Sequence, residues 1–99
     1  MILIIDDDIA VQKSLALLLR QHGLPPDTAA DEREAFVKLS EWMPDLILLD
    51  MNFTVETTGA DGLATLRRIR EINPVVPVIL ITGWATMQLA VQGMKAGAN

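Results

Sequence analysis

The stretch Leu46-Ile47-Leu48-Leu49-Asp50 carries the most information in this chain. Four consecutive large aliphatic residues, with Asp45 before them and Asp50 at their end, describe a strand buried on both faces, as in the middle of a parallel sheet. Open α/β sheets bind ligands outside the carboxyl ends of their strands. A carboxylate where such a strand emerges is therefore the candidate reactive group, and Asp50 is that carboxylate.

Working outward, the chain alternates between strand and helix signals. Ile2 to Ile5 predicts a first strand, running into Asp6, Asp7 and Asp8. Asp8 is placed to cap a first helix whose stripe is Val11, Leu15, Leu18, Leu19 and His22, stopped by Gly23 and Pro25-Pro26. Asp27 to Ala30 is a weak second strand. Asp31 caps the second helix with Glu34 three residues on; its stripe is Ala35, Phe36, Leu39 and Met43, and Pro44 closes it. After the third strand, a Thr-rich loop from Met51 to Ala60 leads to a third helix, about Asp61 to Asn73, with Leu63, Leu66, Ile69 and Ile72 inward. Val78 to Thr82 is the fourth strand, and Trp84 to Ala96 the last helix, stopped by Gly97.

This βαβαβαβα order predicts an α/β fold, a parallel sheet with right-handed crossovers and helices on both faces. All strands then point one way, so Asp6, Asp7, Asp50 and Thr82 emerge on one edge. With the first and third strands adjacent, neighbours lie about 4.8 Å apart, within reach of a single ligand.

Composition limits what that edge can serve. Ninety-nine residues with 51% hydrophobic content make one domain spanning residues 1–99. A net charge of −5 excludes direct nucleic-acid binding by this domain and disfavours anionic membranes. The chain has no cysteine, hence no disulfide or thiol chemistry, and no apolar run approaching the roughly 18 residues that span a bilayer. The expectation is a soluble cytoplasmic domain.

Crowded carboxylates repel one another unless a cation neutralises them or some take up protons. An all-oxygen cluster suits a hard divalent ion; Mg²⁺ takes few protein carboxylates, keeps waters and accepts phosphate oxygens. With the charge offset, Asp50 can act as a nucleophile toward phosphorus, and the Thr82 hydroxyl can donate to a phosphoryl oxygen.

Ile4-Ile5-Asp6-Asp7-Asp8, Pro44-Asp45-Leu46-Ile47-Leu48-Leu49-Asp50, Asp61-Gly62, Pro77-Val78-Ile79-Leu80-Ile81-Thr82-Gly83 and Met94-Lys95-Ala96-Gly97-Ala98 together resemble the receiver domain of two-component response regulators, over essentially the whole chain. The resemblance implies a flavodoxin-like, doubly wound sheet, of which this chain would carry strand order 2-1-3-4. It implies phosphoryl transfer from a sensor histidine kinase to Asp50, with Mg²⁺ held by Asp7, Asp50 and the backbone carbonyl of Asn52 and with Asp6 acting through water. Thr82 would be the switch hydroxyl. Self-catalysed phosphorylation and dephosphorylation would then serve a switch whose output, transcription, is carried by an output domain or downstream regulator outside this chain; dimerisation is compatible with such a switch.

Two departures stand out. The Met51–Ala60 loop is longer than usual by about four residues and lacks the common proline; with Leu89 to Gly97 it is similar to receivers of enhancer-binding transcription regulators. The chain also stops at Asn99, before the family's fifth strand, its phosphate-contacting lysine and its fifth helix, so a domain incomplete at its C-terminus is expected. A chain ending there would expose the fourth strand as an apolar edge, making it poorly stable or prone to pair edge to edge. Three rivals remain: a receiver-like interaction module that is never phosphorylated; a haloacid-dehalogenase-type phosphatase using Asp6-x-Asp8 with Mg²⁺; and a nucleotide-binding domain, which would want glycines rather than acids after the first strand.

Overall fold

A computed structural model describes residues 1–50, 60–81, 91 and 93–99. Four aliphatic runs form a parallel sheet: β1 (Ile2–Ile5), β2 (Pro26–Ala29), β3 (Leu46–Asp50) and β4 (Val78–Ile81), in the order β2-β1-β3-β4. This is the expected order, with strand bounds within one residue of those predicted. Between the strands lie α1 (Ile9–Gln21), α2 (Glu32–Glu41) and α3 (Ala60–Ile72). Most of the predicted Trp84 to Ala96 helix lies outside the described residues; 91 and 93–95 are helical.

Strand alternation sorts the core. Leu3, Ile5, Ala29, Ile47, Leu49 and Val78 share one face and pack with Ala35 and Leu39 of α2 and Leu66 and Ile69 of α3. The opposite face meets α1, which packs against β1 and β2. Here the expectation for β3 needs correcting: Ile47 and Leu49 are fully buried, but Leu46 and Leu48 are only partly so. Among the described elements, α1 packs mainly against β1 and β2, and the face of β3 that carries Leu46 and Leu48 is only partly shielded.

The helix stripes need a similar correction. The buried positions of α1 are Gln12 and Ala16, with Val11, Leu15 and Leu19 half-buried, while Leu18 is exposed and His22 is the exposed C-cap. A helix close to a sheet needs a small residue at the contact, so Ala16 takes the position that hydrophobicity alone assigns to a leucine. In α2, Ala35 and Leu39 point inward as expected, but the helix ends at Glu41 with an extended Trp42 as C-cap, leaving Met43 outside and exposed. In α3, Leu63, Leu66 and Ile69 are buried, whereas Ile72, its last residue, is exposed.

The helix ends follow their sequence signals. The Asp8 carboxylate accepts from the backbone N–H groups of Ala10 (2.9 Å) and Val11 (3.3 Å), and Asp31 accepts from Glu34 N–H at 2.7 Å. Gly23, at φ +73°, ends α1: its N–H donates to Arg20 O, and Leu24 N–H reaches back to Leu19 O.

Candidate functional site

β1 and β3 run side by side in the register Ile5↔Leu49, so the next residue on each strand is an aspartate: Asp6 and Asp50. Asp6 is 4% exposed and Asp50 9% exposed, whereas Asp7 is exposed. One carboxylate oxygen from each of Asp6, Asp7 and Asp50 can be chosen such that all lie within 4.8 Å of one another. The convergence expected from strand polarity is therefore present for these three. Asn52 and Thr82 lie outside the described residues; Ile81, which precedes Thr82, is paired with Asp50.

The third acid of the run has another task. Asp8 turns its carboxylate into the first turn of α1 as the N-cap, while its N–H donates to Asp6 Oδ1 at 2.9 Å. An Asp6-x-Asp8 pair working jointly on a ligand, as the phosphatase reading requires, is thus at odds with the geometry.

The electrostatics bear the mark of crowding. Burial pushes the Asp6 carboxyl up from 3.8 to about 6; the N–H of Asp8 pulls it back in part, and the neighbouring charges of Asp50, Asp7 and Asp8 raise it further. A donor set made wholly of carboxylate oxygens, partly sunk below the surface and mutually repelling, fits a small hard dication; it offers no soft ligand.

One residue of this neighbourhood escaped the sequence reading. Gln12, 7% exposed, donates from Nε2 to the carbonyl oxygen of Asp6 and, at 3.4 Å, to that of Ala29. The available signal was its position: four residues after the cap Asp8 and four before Ala16, on the inward face of α1. An apolar-stripe search passes over a glutamine there.

Comparison with known proteins accords with this geometry. Residues 2–99 match the family model for the response regulator receiver domain. The chain is 37% identical over 97 residues to the transcriptional regulatory protein ZraR of Escherichia coli (strain K12), covering 98% of this chain and 21% of that protein. The chain thus spans about a fifth of the length of the curated relatives it matches. Among solved structures, the receiver domain of NtrX from Brucella abortus superposes with a TM-score of 0.88 at 31% identity, covering 99% of this chain and 80% of that one. The chemotaxis protein CheY4 of Vibrio cholerae superposes with a TM-score of 0.87 at 27% identity, covering 99% of this chain and 80% of that one. The chain belongs to the response regulator receiver domain family of two-component signalling.

Proposed function

We propose that Asp50 is the phosphoacceptor of this receiver, taking a phosphoryl group from a phosphohistidine of a sensor histidine kinase in a Mg²⁺-dependent reaction. The observation that carries the reading is the convergence of Asp6, Asp7 and Asp50 within 4.8 Å at the carboxyl end of the sheet. Asp7 and Asp50 would hold the ion directly and Asp6 through water, joined by the backbone carbonyl of Asn52 on the strength of family resemblance. When bound, Mg²⁺ offsets carboxylate charge and neutralises phosphoryl oxygens.

The chain's own part is positional. The ladder of β3 holds Asp50 at its strand end, which fixes where its carboxylate meets a phosphoryl donor. In the transfer, a carboxylate oxygen of Asp50 forms a bond to phosphorus as the phosphorus–nitrogen bond breaks, and the electron pair of that bond leaves with the imidazole. Thr82, next in sequence to the residue paired with Asp50, is assigned the switch hydroxyl by resemblance. The output is regulation of transcription, a reading supported by the similarity to ZraR, which is named as a transcriptional regulator; such a switch would act in the cytoplasm.

Incubation with acetyl phosphate and Mg²⁺, followed by intact-mass spectrometry, tests this directly. One phosphoryl adduct is expected on the wild type and none on Asp50→Asn. An adduct that persists in Asp50→Asn but is lost in Asp6→Asn supports the phosphatase chemistry; no adduct on the wild type, with Mg²⁺ bound, supports the interaction module.

A further inference from the structure

We infer that Gln12 is a positioning residue for the acidic cluster, its side-chain amide setting the backbone from which Asp6 and Asp7 present their carboxylates. This rests on the reading of Asp6, Asp7 and Asp50 as the cation-binding, phosphoryl-accepting site.

The observations are local and connected. At the end of β1 the ladder makes one more bond, from Asp6 N–H to Ala29 O at 3.0 Å. Beyond it the chain must turn sharply into α1, since Asp8 is already the N-cap. The carbonyl of Asp6 sits at that turn and accepts from the side-chain amide of Gln12. The same amide reaches Ala29 O at 3.4 Å, the acceptor that also pairs with Asp6 N–H. Both acceptors are carbonyl oxygens, so only the NH₂ end of the side chain satisfies them and the amide orientation follows from chemistry. Gln12 thereby ties α1 to the carboxyl ends of both β1 and β2.

A peptide plane held at Asp6 O is the plane that leads into Asp7. Its rotation would move the Asp7 carboxylate relative to Asp6 and Asp50, and metal sites tolerate little such movement. Plain core satisfaction, the competing explanation, makes a different forecast: removing the amide would lower stability and leave the affinity of folded protein for the ion unchanged.

Isothermal titration calorimetry with Mg²⁺ separates them. Gln12→Met keeps the length of the side chain and removes both donors. The expected result is a rise in Kd for Mg²⁺ of about tenfold or more at a temperature where circular dichroism shows wild-type helicity. Leu39→Ala, in α2 and on the opposite face, serves as a destabilised control and should keep wild-type Kd. Equal Kd for Gln12→Met and wild type overturns the inference, as does an equal loss in Leu39→Ala. If Gln12→Met does not fold, the wild-type protein still decides: the Gln12 side-chain NH₂ resonances should shift on Mg²⁺ saturation, and unmoved resonances overturn the inference. Failure of the underlying reading looks different, because wild-type protein would then bind no Mg²⁺, or Asp50→Asn would bind it as tightly.

Discussion

Asp6 carries the cost of the site in its own titration. Its carboxyl is raised from 3.8 to about 6, so between those values the folded chain holds a proton that the unfolded chain has lost. The associated stability is present in full below pH 3.8 and disappears as pH rises through about 6. Asn at this position mimics the protonated form and has no such loss. In a chelator, Asp6→Asn should therefore gain on the wild type as pH rises from 4 to 7, by up to about 3 kcal/mol, and level off above pH 6. Paired urea melts across that range check it; a difference that does not vary with pH removes Asp6 as a strained acid. The place of Asp6 at the same sheet edge as Asp50 was legible in sequence because parallel strands all end there; its position next to Asp50 comes from the pairing of β1 with β3. Its burial was not, since that depends on how α1 closes over β1.

At the level of elements, caps and latches are separable from chemistry. Asp8 spends its carboxylate on the first turn of α1, so Asp8→Ala should cost about 1 kcal/mol, a fall in Tm of about 4–8 °C, while acetyl phosphate labelling of Asp50 persists. Labelling lost together with the cap would return Asp8 to the site. The C-terminal latch is a second case. Arg70 of α3 donates from Nε to Gly97 O at 2.7 Å, from one terminal nitrogen to Val76 O, and from the other to Asn99 Oδ1 at 2.9 Å. Gly97 has φ +110°, and a Cβ there would lie 2.7 Å from Arg70 Cγ. Gly97→Ala meets both a left-handed backbone and the arginine stem and should lose about 1–3 kcal/mol in a thermal melt. A glycine stop was readable from sequence; the arginine that packs on it, 27 residues earlier, was not.

For the molecule as a whole, the edge of the sheet matters most. β4 pairs with β3 on one side, and on the other the described residues give it a single partner at its start, Asn99, whose N–H donates to Val78 O at 2.9 Å and whose Oδ1 accepts from Val78 N–H. Ile79 on that strand is 45% exposed and Val75 just before it 81% exposed. Expressed as these 99 residues, the polypeptide should associate as concentration rises, because among the described residues the far side of β4 is paired only at Val78, and an apolar edge of that kind templates another strand. Size-exclusion chromatography over a hundredfold concentration range checks this; a monomer throughout, with a cooperative melt, would contradict it. Ile79→Lys should reduce the association.

The succession of strands and helices and most helix ends could be taken from the linear chain, because short aliphatic runs, acidic caps, glycines and prolines act within a few residues of themselves; the strand order was implied by the resemblance and is fixed by pairings between distant segments. That Asp6 and Asp50, 44 positions apart, end at one edge followed from parallel strands; that they meet there required β1 to lie beside β3. Which residues face inward on α1, how deep each acid sits, and what holds the turn at Asp6 depended on the fold. Those properties arise from the distance between a helix and a sheet, where Ala16 fits and Leu18 does not, and from pairings such as Gln12 with Ala29 that exist only after distant segments are brought together.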